Sequence, residues 1–274
     1  MVASVARPDS TRHDVPELVR TWEPDHPRAD IVLVHGLGEH SGRYEAIGSQ
    51  LSDSGFRVRA FDLVGFGASG GRRGHIESWT TYLDQVEDHL RAMRTDRPLV
   101  LFGHSMGGLI ALEYALSERP APDLLVLSSP ALLAGAGWQR AVAPIAARIA
   151  PKLTLPNGLD GAQLSRDPAV GEAYFADPLV LTKSSNRLGA ELFAAMSRTG
   201  AVIDRLDLPT LVIHGGADTI VPASASAPLA SVKTVTRKLY PKLRHETMNE
   251  PEGPEVVSDI VGWLDARLAE FARN

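Results

Sequence analysis

Gly103-His104-Ser105-Met106-Gly107 sets a serine two residues from a glycine on either side, the G-x-S-x-G pattern. It stands between the apolar run PLVLF and the helix-forming stretch LIALEYAL. A strand turning sharply into a helix holds such a serine in a strained backbone and lifts its Oγ over the ends of the strands. Gly103 and Gly107 leave the room that side chains would fill, and Gly108 adds to it. The start of the next helix, with its dipole and unpaired N–H groups, favours a developing negative charge. The chemistry this suggests is nucleophilic attack by Ser105 on a carbonyl.

A serine hydroxyl is a poor nucleophile until a base takes its proton. The chain has nine histidines. His13 and His26 lie in a polar N-terminal segment and are expected to face solvent. His104 is side by side with Ser105 and points elsewhere. His89, among acidic residues of an amphipathic helix, reads as exposed, and His75 sits in a glycine- and arginine-rich loop. His214 ends a strand, where a structural histidine is usual. His245, in YPKLRHETMNE, follows the last expected strand and precedes the final helix, in a loop that opens on the same edge as Ser105. It is the expected base. The orienting acid should fall between serine and histidine in chain order. Asp218 lies just beyond the strand LVIHG, whereas Asp207 precedes it, Asp62 reads as a turn residue, and no carboxylate follows LLVLSS.

A second stretch, HGLGEHSG at 35–42, allows three readings. Convergence of His35, Glu39 and His40 would hold a metal, but nothing else supplies a coherent ligand set. Glycines at 36, 38 and 42 lack the G-x-G-x-x-G spacing of a phosphate cradle. The third reading is a loop that lends backbone N–H groups to catalysis.

These residues need elements to hold them. Apolar runs recur at IVLVHG (31–36), RVRAFDL (57–63), PLVLFG (98–103), LLVLSS (124–129) and LVIHG (211–215), with a weaker alternating VTRKLY (235–240). Near-continuous apolar strands are expected where both faces of a parallel sheet are covered. Amphipathic helices fit 78–94, capped by Ser78, then 106–119 and 250–273. Strand and helix in alternation read as α/β with a mostly parallel, doubly wound sheet. The alternation fails at 131–205, which is rich in Ala, Leu and Pro and holds no convincing strand. The expected organisation is a core of 1–130 and 206–274 with a helical cap inserted at 131–205.

Of the 274 residues, 44% are hydrophobic and 22% charged, ordinary for a globular enzyme. A net charge of −5 with scattered basic residues argues against nucleic acid. The absence of cysteine removes thiol catalysis and disulfides. The longest uncharged run, Leu124 to Gln139, is too short and broken to span a bilayer. The N-terminus lacks the apolar core of a secretory signal, so a cytoplasmic protein is expected.

HGLGEHSGRY, DLVGFGASGGRRGHIESW, GHSMGG, AYFADPLV, HGGADTIVP and RHETMNEP occur in this order over about residues 31 to 255. Together they resemble the monoacylglycerol lipase family of α/β-hydrolases. One departure is DLVGFGAS, with Val64 and Phe66 where D-x-R-G-H-G-x-S is frequent. The resemblance implies a Ser105–Asp218–His245 triad and an oxyanion hole from the backbone N–H groups of Leu37 and Met106. It also implies a mobile cap bordering an acyl-chain tunnel, hydrolysis of monoacylglycerols through an acyl-enzyme, and no metal or organic cofactor. A broader carboxylesterase or lysophospholipase is the alternative. A non-catalytic binding protein of this fold would usually have lost a triad residue, and all three are present. HGLGEHSG then becomes one half of the oxyanion hole, with His35 as support. Glu39 and Arg43 either order the loop or bind a glycerol head group, ordering being the simpler. In the cap, Trp138, Val142, Ile145, Ile149, Leu153 and Leu155 form an apolar series. Packing onto the core is the simpler expectation for most of them, and transient contact with a lipid surface the other.

Overall fold

The computed structural model describes residues 15–133, 135, 137–271 and 273, so the reading of His13 lies outside it. The first half runs β1 (Val19–Trp22), β2 (Ala29–Val34), α1 (Glu45–Asp53), β3 (Phe56–Phe61), α2 (Thr80–Met93), β4 (Leu99–His104), α3 (Met106–Ala115) and β5 (Leu124–Ser128). A connecting segment carries α4 (Gly137–Ile149), β6 (Thr154–Pro156), α5 (Gly161–Leu164), α6 (Pro168–Ala176), β7 (Lys183–Ser185) and α7 (Asn186–Gly200). The chain then returns through β8 (Thr210–Gly215), β9 (Val235–Tyr240) and α8 (Gly253–Phe271).

Seven strands form one sheet in the order β1-β3-β2-β4-β5-β8-β9, parallel except for β1, which runs antiparallel to β3. Each apolar run feeds both faces. On β2, Val32 and Val34 join the core under α2, α3 and α7, while Ile31 and Leu33 join the one under α1 and α8. On β4, Leu101 and Phe102 divide in the same way. Full burial of each such side chain stabilises by about 1.5–3 kcal/mol before conformational entropy is counted. Because the inner strands are parallel, the loops after β2, β4, β5, β8 and β9 all leave from one edge. Chain reversal from β3 across β2 to β4 makes that edge a crevice.

The structure departs from the sequence reading in several places. Strand β1, VRTW, was not expected: an edge strand of four residues with two half-buried polar positions carries no apolar run. Helix α2 starts at Thr80 with Trp79 at its cap position, and Ser78 Oγ accepts the Thr80 N–H at 3.3 Å. His89 is buried rather than exposed. It stacks on Phe61 with ring centroids 3.7 Å apart, accepts from Arg59 Nε, and faces Glu17 at 3.2 Å. The chain leading into β1 covers the helix face that the sequence pattern left to solvent. His26 is exposed, as expected.

Between β5 and β8, the expectation of no strand is corrected by the ribbon β6–β7, paired antiparallel at Leu155↔Ser184. Three-residue strands joined over nearly thirty residues leave no local signature. α7 packs against α3 and α4, with Leu188, Leu192, Ala195 and Met196 in the main core. The apolar series of α4 and its continuation does not pack on the core. Trp138 is 68% exposed and Ile149 78%, with Val142, Ile145, Leu153 and Leu155 also exposed. Only Ala147 of α4 is buried, so the helix docks by a narrow small-residue seam and turns its large side chains outward.

Candidate active site

Ser105 is the one residue between β4 and α3, with φ 52° and ψ −117°. A non-glycine residue there is strained and persists because its surroundings leave no alternative. Its N–H donates to Ser128 O at 2.9 Å, and its carbonyl accepts from Leu109 and Ala131. A Cβ on Gly103 would overlap the Gly107 carbonyl, and one on Gly107 the Val34 carbonyl. Both glycines are therefore required by close backbone approach.

His245 and Asp218 meet. His245 Nδ1–H donates to Asp218 Oδ2 at 2.7 Å, while Asp218 Oδ1 accepts the Ile220 and Val221 N–H groups at 2.9 Å each. Burial works against the Asp218 charge. The neighbouring His214 and His245 and the Val221 N–H outweigh it, and hold the carboxyl below its usual range. His214 is structural: Nε2–H donates to Val221 O at 2.9 Å, and Nδ1 faces Ser226 Oγ at 2.8 Å. Ser129, at φ 43°, donates its hydroxyl to the His245 carbonyl at 3.0 Å.

Ser105, His245, Gly36, Leu37 and Met106 line one cavity of about 70 Å³ beneath α6 and α7. That is room for a handful of water molecules. Its remaining walls include Leu159, Leu164, Leu192, Met196, Ile220 and Val221, with Glu39 and Glu246 at the polar end. No lysine or arginine lines it among the described residues. As the first residue of a helix, Met106 has an N–H without an acceptor inside the helix.

The metal reading of HGLGEHSG dissolves in the geometry. His35 accepts the Leu63 N–H at Nε2 and directs Nδ1 to Gly36 O. His40 accepts the Gly42 N–H at Nδ1 and directs Nε2 to Asp177. Glu39 accepts from Gly36 N–H, Tyr44 OH and Arg43. Each of the three is engaged by protein groups, and no partner atom is shared among them. Asp62, read as a turn residue, accepts from Ser41 N–H, Ser41 Oγ and Ala68 N–H, and so ties this loop to the turn after β3.

Residues absent from the sequence reading also reach the site. Tyr174 and Glu246 line the cavity, and Ser129 braces the loop that carries His245. His104 does not point away. Its ring lies 4.9 Å from that of His245, and burial first, then the charge on His245, pushes its pKa down to about 4. One of two adjoining imidazoles therefore stays neutral.

A model of the hydrolase family described as serine aminopeptidase, S33, matches residues 25–252. The chain belongs to that family. Its relatives include the monoacylglycerol lipase of Mycolicibacterium smegmatis, 34% identical over 90% of this chain and 92% of that protein. Phospholipase YtpA of Bacillus subtilis is 36% identical over 89% of this chain and 98% of that one. The crystal structure of Paleococcus ferrophilus monoacylglycerol lipase superposes with a TM-score of 0.84 at 36% identity, covering 90% of this chain and 98% of that one. The fold is thus the α/β-hydrolase fold, a mostly parallel seven-stranded sheet flanked by helices. In this family member, the strand-to-helix turn at Ser105 and the loop after β9 open on one crevice.

Proposed function

We propose that the protein is a serine hydrolase that cleaves monoacylglycerols to fatty acid and glycerol. The observation that carries this is one cavity lined by Ser105, His245 bonded to Asp218, Leu37 and Met106, with an apolar wall and, among the described residues, no lysine or arginine. His245 takes the Ser105 Oγ proton at Nε2 as Oγ bonds to the ester carbon. The carbonyl electron pair moves onto oxygen, which the Leu37 and Met106 N–H groups receive. The pair returns, the ester C–O bond breaks, and His245 gives its proton to the departing glycerol oxygen. Water repeats the sequence and frees the fatty acid. Asp218 holds the ring in the tautomer with its proton on Nδ1.

The names of the relatives favour this substrate class and also raise a phospholipase reading. The cavity argues for a neutral head group: the Glu39–Arg43–Glu246 cluster beside it carries one net negative charge, which disfavours a phosphate. Glu39 and Arg43 order the loop in this reading, since both oxygens of Glu39 and both terminal nitrogens of Arg43 are taken by protein partners. Segment 131–205 serves as the cap. A long acyl chain exceeds a 70 Å³ cavity, so the cap residues Leu159 and Leu164 move to admit it.

The exposed face of α4 supports transient contact with a lipid surface. Trp138, Val142, Ile145 and Ile149 recur at helical spacing on one side. Among the described residues no helix is long and apolar enough to cross a membrane, so the contact is interfacial. Flotation with neutral and anionic liposomes should carry the wild type and lose an Ile145→Ser/Ile149→Ser variant. Equal flotation of both would remove the contact.

Hydrolysis of monoolein, lysophosphatidylcholine and a short p-nitrophenyl ester, with fluorophosphonate labelling, tests the whole. Monoolein should be preferred, and labelling should vanish in Ser105→Ala. Preference for the lysophospholipid would replace the substrate, and an unlabelled wild type would end the serine-hydrolase reading.

A further inference from the structure

Glu39, Arg43 and Glu246 form a buried ionic chain between two loops that meet at Ser105. Arg43 Nη1 donates to Glu39 Oε2 at 2.8 Å and to Glu246 Oε1 at 2.6 Å, and Nη2 donates to Glu246 Oε2 at 2.8 Å. At one end, Glu39 Oε1 accepts the Gly36 N–H at 2.5 Å and the Tyr44 hydroxyl at 2.7 Å. Gly36 immediately precedes Leu37. At the other end, Glu246 immediately follows His245, and its Oε2 also accepts from Asn249 Nδ2 at 2.8 Å. Only two side chains, those of Glu39 and Arg43, separate the Gly36 N–H from Glu246, the residue after the base.

The charges are strongly held. Burial opposes ionisation of Glu39, yet Arg43, then His104, His35 and the Tyr44 hydroxyl, pull its pKa down to about 2. Burial likewise opposes the Arg43 charge, and Glu246 and then Glu39 outweigh it. A buried ionic triplet is a poor source of net stability, since apolar residues of equal volume often do as well or better. What such a triplet supplies is a defined geometry between segments far apart in the chain.

We propose that Arg43, clamped between Glu39 and Glu246, is a positioning residue that fixes the oxyanion loop and the base loop as one unit across Ser105. The proposal rests on the serine-hydrolase reading above. Glu39 consumes the Gly36 N–H and sets the chain direction into Leu37. Glu246 sets the chain direction out of His245. Arg43 joins the two by a fork whose two nitrogens meet both oxygens of Glu246, so distance and angle are both constrained. Displacement of either loop by an ångström is worth about 100-fold in rate.

The test uses Glu39→Gln and Glu246→Gln, singly and together, on the full chain with monoolein. Each single variant should lower kcat by about 10- to 100-fold with KM within about twofold of wild type. Binding of an alkyl boronic acid, which mimics the tetrahedral species, should weaken by the same factor. The double variant should be no worse than the worse single, because breaking one link already frees both loops. Arg43→Lys keeps the charge without the fork and should show the same kcat loss. Multiplicative losses in the double variant, or lowered melting temperatures with kcat unchanged, would overturn the proposal. A wild type that neither hydrolyses esters nor labels with fluorophosphonate would instead overturn the serine-hydrolase reading, which keeps the two failures distinct.

Discussion

Ser129 Oγ donates to the backbone carbonyl of His245 at 3.0 Å, across 116 positions of sequence. The bond joins the end of β5 to the loop after β9, two strands away in the sheet. It braces the main chain at His245. Ser129 is also one of two described non-glycine residues at positive φ, the other being Ser105 itself. Backbone strain is thus concentrated at the proposed nucleophile and at a residue supporting the proposed base.

Replacing Ser129 with alanine removes that bond and retains the strain. Stability should fall by about 1 kcal/mol, the usual worth of one buried hydrogen bond. Urea denaturation measures it, and kcat should drop with little change in KM.

Asp218→Asn should preserve the fold and lower kcat by about 10⁴-fold. An amide in place of the carboxylate favours the imidazole tautomer with its proton on Nε2, where it no longer accepts from Ser105. Single-turnover kinetics at neutral pH measures the loss, and a decline under tenfold would remove Asp218 from the orienting role.

Gly107→Ala places a methyl against the Val34 carbonyl, between β2 and α3. Overpacking of this kind costs about 1–3 kcal/mol. The elbow must open to relieve it, so fluorophosphonate labelling of Ser105 should slow even where circular dichroism stays native.

Two of the buried groups, His104 and Glu39, contribute to the pH dependence of stability in separable windows. Folding lowers the His104 pKa from an ordinary 6.5 to about 4, so the unfolded chain takes the proton first. Its contribution is complete above pH 6.5 and declines as pH falls toward 4. Folding lowers Glu39 from 4.5 to about 2, and its contribution is complete above 4.5 and declines toward 2. Both signs make stability rise with pH. Urea midpoints from pH 7 to 3 should show His104→Gln flattening the upper window and Glu39→Gln the lower, and an unchanged slope in either variant would contradict the corresponding assignment.

The sequence by itself determined whatever depends on local pattern. Strand runs apolar on both faces marked the inner parallel strands, and the stripe Val256, Val257, Ile260 and Leu264 marked α8. G-x-S-x-G marked Ser105 because a strained turn between strand and helix admits only glycine around it. Chain order then brought forward Asp218 and His245, and the structure places these two 2.7 Å apart. The tertiary structure decided what depends on approach between distant segments. Nothing near Arg43 in sequence points to Glu246, which lies 203 positions away. His89 looked exposed until the chain entering β1 covered it, and α4 turned outward an apolar face that its pattern alone would bury. Periodicity records that a helix has an apolar side. Which neighbour, protein or solvent, meets that side is settled only when every element has taken its place.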